Sequence, residues 1–90
     1  MGRETVLFKT EEKMGRKEAA ALLRHMADKI DNGKVVLQQG NKRVKLKIPA
    51  RVEVEIKAEK EVGKRKTKKK IEVEIEWLVG AADKGTFTLG

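Results

Sequence analysis

Apolar and polar residues alternate most regularly between residues 51 and 77. The segment RVEVEIKAE places apolar side chains on one face and charged side chains on the other, and KIEVEIEW repeats the pattern. This period-two alternation predicts two β-strands, residues 51–59 and 70–77, each with one face buried and the other in water. Between them, GKRKTKKK predicts a loop of eight residues, 63–70.

Residues 16–30 carry a different period. Apolar side chains recur every three or four residues, which predicts one amphipathic helix of about four turns. The stripe consists of Ala19, Leu22, Leu23, Met26, Ala27 and Ile30. Gly15 is the predicted N-cap, with Glu18 at the third helical position, and Asn32-Gly33 ends the helix because glycine suits the left-handed position after it.

Two further segments, residues 34–39 and 42–48, predict a hairpin about Gly40-Asn41. A two-residue turn pairs Leu37 with Val44 and Val35 with Leu46 on the inward face. A turn at Pro49 then predicts that the second of these strands pairs with residues 51–59. That pairing sets Lys47 opposite Glu53 and Lys45 opposite Glu55 on the wet face.

Residues 5–10 predict a first strand, with Val6 and Phe8 facing inward. The complete prediction is an α+β domain of order β-α-β-β-β-β, in which one helix packs on the apolar face of a twisted, mainly antiparallel sheet. Residues 1–79 form this single domain. Residues 80–90 are predicted to be a flexible C-terminal tail, a short strand at residues 86–89 being the alternative.

Several segments together resemble the amphi-Trp domain, a small family of archaeal and bacterial proteins. They are the opening VLFK, the helix MGRKEAAALLRHMADKI closed by NG, the single Pro49 before RVEVEIKAE, and the last strand EVEIEW. The resemblance covers residues 5–77 and implies the β-α-β4 plan and the terminal tryptophan, here Trp77. It implies no activity. Gly15 departs from the serine or threonine expected at the helix cap.

Composition argues against an enzyme. The chain has no cysteine, serine or tyrosine and a single histidine, so the usual nucleophile and base pairs cannot be assembled. His25 is expected to be a partly exposed structural residue rather than a ligand or catalyst. Glu72, Glu74 and Glu76 repeat along one strand as a solvated face, with divalent cation binding as the alternative. We therefore expect no catalytic residues, cofactor or metal.

The same composition bears on location. Apolar residues fall in periodic runs although 40% of the chain is charged, so we expect a folded protein rather than a disordered one. No run is long enough to span a bilayer, no signal peptide is seen, and cysteine is absent, which together favour a cytoplasmic protein. The abundance of glutamate and lysine resembles a thermophile's surface.

Charge points to a binding function. The formal net charge is +8, and six cations in the predicted loop account for most of it. Such a loop favours contact with DNA or RNA backbones without strong sequence preference, because no aromatic side chain is available to stack on bases. The alternatives are a solubilising loop and an acidic protein or lipid surface. The candidate residues are Lys64, Arg65, Lys66, Lys68, Lys69 and Lys70, with Arg43, Lys45 and Lys47 as secondary candidates.

A protein-interaction or homodimer function is the second hypothesis. Leu7 and Val36 are the apolar side chains predicted on the outer face, and they would form a small patch beside an open sheet edge. Trp77 continues the inward series of its strand, so a core role is expected, with a partner anchor as the alternative.

Overall fold

The computed structural model describes residues 2–80. One helix, α1 (Arg16–Asp31), precedes four strands: β1 (Lys34–Gln39), β2 (Lys42–Lys47), β3 (Glu53–Val62) and β4 (Thr67–Glu76). The strands pair antiparallel as β1 with β2 and β3 with β4. The predicted α+β class and the order of one helix followed by strands are therefore confirmed. Of the predicted tail, only Gly80 lies within the described residues.

The helix begins where the sequence indicated. Gly15 is the N-cap, and its N–H donates to the Glu18 Oε1 atom at 3.1 Å. This is half of a capping box, because glycine has no side chain to return the bond. At the other end, Asn32 is the C-cap and Gly33 has a φ of +83°, the left-handed conformation that favours glycine.

The β1–β2 hairpin has the predicted register, with Val35 opposite Leu46 and Leu37 opposite Val44. Gly40 has a φ of +57°, and no non-glycine residue among those described has a positive φ. A positive φ at the first turn position only is the signature of a type II′ turn. The Ile48 N–H also donates to the Gly33 carbonyl at 2.9 Å, which ties the end of this hairpin to its start.

Helix α1 and the β1–β2 hairpin belong to a first compact unit, which ends at Ile48. The core of this unit is small. Helix α1 packs on β1, and Val35 is the one described apolar residue that is buried, at 8% exposure. Ala19, Met26 and Ile30 of the helical stripe are half-buried. Leu22 and Leu23 of the same stripe remain exposed, so the β1–β2 hairpin covers only part of the apolar face that the helix presents.

The second unit begins at Pro49 and contains the β3–β4 hairpin. Its register runs without interruption from Glu53 opposite Glu76 to Val62 opposite Thr67. Every residue of β3 is exposed. On the apolar face of this hairpin, Ile56 and Ile71 are 72% and 77% exposed.

Two further predictions are corrected. Residues 5–10 form no strand, and the chain has no helix or strand between residues 2 and 15. A strand needs a partner ladder, which two inward side chains, Val6 and Phe8, could not specify. The strands also form two separate sheets rather than one, so the pairs Lys47–Glu53 and Lys45–Glu55 are not formed. Pro49 lacks the N–H that a continuing ladder needs at this connection.

We predict that Val35→Ala lowers the free energy of unfolding by about 2–3 kcal/mol, because it removes two buried methyl groups and leaves a cavity. Urea denaturation measures the change. Val36→Ala is the matched control, since the same methyl groups are removed from a neighbouring side chain that is 38% exposed. It should cost less than about 0.5 kcal/mol. Equal losses for the two variants would contradict a core centred on Val35.

Candidate nucleic-acid interface

The loop between β3 and β4 is shorter than predicted. It spans residues 63–66, because β3 continues beyond residue 59 to Val62 and β4 begins at Thr67, before the predicted start at residue 70. The Gly63 N–H donates to the Lys66 carbonyl at 2.8 Å and closes the turn. A Cβ atom at Gly63 would lie 3.0 Å from that carbonyl oxygen, which explains glycine at this position. Of the six predicted loop cations, Lys64, Arg65 and Lys66 lie in the loop.

The other three predicted loop cations lie on β4. The register sets Lys68 opposite Glu61, Lys69 opposite Lys60 and Lys70 opposite Glu59. Since side chains alternate along a strand, Lys68 and Lys70 share one face of the hairpin and Lys69 lies on the other. Lys60, which lies outside the predicted loop, therefore joins the cationic group beside Lys69.

Lys70 belongs to an ion-pair network. Its Nζ atom lies 3.2 Å from Glu59 Oε1 and 3.7 Å from Glu72 Oε1, and Lys57 Nζ lies 3.8 Å from a carboxylate oxygen of each of these glutamates. The hydrogen bond from Lys70 and the charge of Lys57 lower the pKa of Glu59. The hydrogen bond to Glu59 and the charge of Glu72 raise the pKa of Lys70. Lys70 is thus less available to an external anion than the loop cations are.

Acids collect at the opposite end of this hairpin face. Glu53 faces Glu76, and Glu55 faces Glu74. A hydrogen bond with Glu53 and repulsion from its carboxylate, followed by weaker effects that include the charges of Glu74 and Glu55, raise the pKa of Glu76. The hairpin is therefore electrostatically polar along its length, acidic where it starts and basic at its loop.

We call residues 60–69 the basic tip. It contains six cations and one acid, Glu61, and each of these side chains is exposed. The cations are Lys60, Lys64, Arg65, Lys66, Lys68 and Lys69. They project from the loop and from both faces of the hairpin, so the tip presents positive charge in several directions.

A second cationic surface lies on the β1–β2 hairpin. Arg43, Lys45 and Lys47, the secondary candidates, alternate with the inward Val44 and Leu46 and so share the outer face. The register adds Lys34, directly opposite Lys47. No acid lies on this face of the two strands. We call Lys34, Arg43, Lys45 and Lys47 the basic face; Lys34 could have been found from the predicted hairpin register.

The apolar pair of the second hypothesis is not brought together by a sheet. Val36 lies on the outer face of β1, opposite Lys45, and is 38% exposed. Leu7 is 55% exposed and lies in the segment that forms no strand. The strand that would have placed Leu7 beside Val36 is absent from the structure, so the predicted patch lacks its scaffold.

The described residues offer little other chemistry. Among them, no three histidine, aspartate or glutamate side chains are grouped to hold a metal ion, the four glutamates at the base of the β3–β4 hairpin included. His25 is exposed on α1. Trp77 follows the end of β4 and is half-buried. Within residues 2–80, no helix has the length and apolar character needed to cross a membrane.

Comparison with known families identifies the chain. The family model of the Amphi-Trp domain matches residues 1–90, and the chain belongs to this family. No curated protein and no solved structure matches it.

The charge pattern predicts opposite effects of two chemically identical substitutions. Glu59 contributes stability in its ionised form, so its contribution is present above its ordinary pKa and lost as the pH falls through the lowered value. Glu76 has a raised pKa in the folded state, so its favourable contribution exists at low pH and is lost as the pH rises. Glu59→Gln should therefore lower the melting temperature at pH 7, and Glu76→Gln should raise it.

Thermal unfolding followed by circular dichroism at pH 7 and pH 3 measures both shifts. The loss caused by Glu59→Gln should shrink at pH 3, and the gain caused by Glu76→Gln should disappear. Each variant removes one negative charge, so the change in net charge is the same. If both variants shifted the melting temperature at pH 7 in the same direction, the stabilising ion pairs of Glu59 and the repulsion between Glu76 and Glu53 could not both be present.

Proposed function

We propose that this protein is a non-enzymatic module that contacts nucleic-acid backbones through the basic tip of the β3–β4 hairpin, without strong sequence preference. The observation that carries the proposal is the concentration of six exposed cations against a single acid within residues 60–69. Polyanions with closely spaced phosphates are the ligands such a surface favours, because each neutralised phosphate releases condensed counterions.

The conformation of the tip supports duplex as well as single-stranded targets. A two-stranded β-ribbon is narrow enough to enter the major groove of B-form DNA, where cations on both of its faces approach phosphates. Lys60 and Lys69 lie on one face of the ribbon, and Lys68 lies on the other. The A-form major groove is deep and narrow, so contact with double-stranded RNA would be confined to its exterior phosphates.

Weak sequence preference follows from the side chains present. The tip contains no aromatic residue for base stacking and no asparagine or glutamine for paired contacts with adenine. Lysine binds a phosphate as a point charge and imposes no fixed geometry on it. Contacts of this type determine affinity and leave the base sequence largely unread.

Lys70 contributes less than its place in the predicted loop implied. Its Nζ atom is already 3.2 Å from Glu59 Oε1, and a phosphate would have to compete with that carboxylate. We assign most of the affinity to the six cations of the basic tip. The basic face of the β1–β2 hairpin is a secondary surface for the same ligand.

Fluorescence-anisotropy titration of duplex DNA, double-stranded RNA and single strands at several salt concentrations tests the proposal. The logarithm of the binding constant should fall against the logarithm of salt concentration with a slope of about −3 to −5. The test variant changes Lys64, Arg65, Lys66 and Lys69 to glutamine, which leaves the ion-pair network intact. Its slope should become shallower by about 3, with at least about tenfold weaker binding at low salt.

The matched control also removes three lysines and one arginine, from α1 and the residues before it: Lys13, Lys17, Arg24 and Lys29 changed to glutamine. These side chains are exposed and lie outside both basic surfaces. The control should bind nearly as the unchanged protein does, because only the general charge of the molecule is reduced. Equal losses in the two variants would show that net charge, not the tip, determines binding. Absence of binding at low salt would refute the proposal.

A further inference from the structure

Among the described residues, one edge of strand β4 pairs with no other strand. Within residues 2–80 its one hydrogen-bonded neighbour is β3, and its register continues for ten residues without a bulge or a proline. A long, regular edge of this kind is a template for another strand, and proteins usually cover or disrupt it.

The backbone orientation at this edge can be assigned. The Gly63 N–H donates to the Lys66 carbonyl, next to the pair Val62–Thr67. Alternation along an antiparallel ladder then directs the N–H and C=O groups of the even-numbered β4 residues toward β3. The odd-numbered residues, from Thr67 to Ile75, direct theirs outward, where they are available to a second strand.

Charge distinguishes the two edges of the hairpin. On the charged face, β3 carries Glu53, Glu55, Lys57, Glu59 and Glu61. An antiparallel copy of β3 centred on Lys57 would set glutamate against glutamate on either side, which is repulsive. Along β4, the same face changes from basic to acidic: Lys68, Lys70, Glu72, Glu74 and Glu76. A second copy of β4 that runs antiparallel presents this series in reverse order, so lysines of one copy can lie opposite glutamates of the other.

We propose that two copies of the chain pair through β4, antiparallel and centred on Ile71, to form a continuous four-stranded sheet. In this register Lys70 lies opposite Glu72 of the second copy, and Lys68 lies opposite Glu74 of the second copy. A centre at residue 72 would oppose two Glu72 carboxylates, and one at residue 70 would oppose two lysines. The Ile71 register is the one that brings only opposite charges together along β4.

The apolar face favours the same arrangement. Ile71, at 77% exposure, would contact Ile71 of the second copy at the two-fold axis. Val73, at 56% exposure, would lie beside the aliphatic part of Lys69 of the second copy. Pairing therefore covers apolar surface that each hairpin exposes, and it satisfies the outward backbone groups of β4.

This interface shares Lys68 and Lys69 with the basic tip, but it does not involve the three cations of the loop. It uses no loop residue, and it leaves Lys64, Arg65 and Lys66 at the end of each hairpin. Its tests are accordingly made without nucleic acid, so that failure of either proposal does not decide the other.

Disulfide trapping tests the register, because the chain has no cysteine of its own. At the two-fold axis the Ile71 Cα atoms would be about 5.5 Å apart, within disulfide range. Ile71→Cys should therefore form covalent dimers under mild oxidation. Val73→Cys is the matched control on the same face: it would pair with residue 69, so its two copies would lie about 14 Å apart and stay unlinked.

Charge reversal tests the complementarity by sedimentation equilibrium. Glu74→Lys sets lysine against Lys68 of the second copy twice in the dimer and should raise the dimer dissociation constant at least about tenfold. Glu55→Lys is the control, because it makes the same charge change at the same hairpin rung, on β3. The double variant Lys68→Glu with Glu74→Lys should restore dimerisation.

Linked Ile71→Cys together with rescue by the double variant would support the proposal. A monomeric unchanged chain at every concentration tested, or a dimer equally insensitive to Glu74→Lys and Glu55→Lys, would overturn it. Equal linkage of Ile71→Cys and Val73→Cys would overturn the register.

Discussion

The antiparallel register of β3 and β4 determines where the charges of these two strands lie. It sets Lys57 opposite Glu72 and Glu59 opposite Lys70, the four side chains of the ion-pair network. A slip of one residue would exchange the two faces of a strand. A slip of two would keep the apolar face but oppose Glu59 with Glu72, or Lys57 with Lys70. Apolar alternation alone permits these slips, so the charged pairs select among them.

This dependence follows from how little the hairpin buries. Every residue of β3 is exposed, and an isolated two-stranded hairpin is at best marginally stable in water. The unit that ends at Ile48 differs, because α1 packs on β1 and buries Val35. Packing thus stabilises one unit, whereas backbone pairing and charge order the other. The pairing proposed at the edge of β4 would stabilise such a hairpin by adding a backbone ladder and covering apolar surface.

The sequence correctly predicted the features that depend on residues close together in the chain. The helix, its glycine cap and the Gly40 turn depend on neighbouring residues, and the structure has all three. The ends of β3 and β4 were missed because a backbone ladder continues through lysines that interrupt the apolar alternation. The unformed strand at residues 5–10 depended on a distant partner. Lys34 and Lys60 belong to the basic surfaces because the strand registers set them opposite Lys47 and Lys69. The number of charges in a segment does not reveal such cross-strand neighbours.

The charge order of β4 connects the two proposals. Lys68 can face either a phosphate or Glu74 of a second copy, and Lys70 is already paired with Glu59. Dimerisation would therefore pair Lys68 and Lys70 with glutamates of the second copy and leave Lys64, Arg65 and Lys66 of each loop exposed to phosphates. Because the two β4 strands are antiparallel, the two basic tips would lie at opposite ends of the four-stranded sheet. A nucleic acid long enough to reach both tips would bind the dimer more tightly than either tip alone, because the second contact becomes intramolecular.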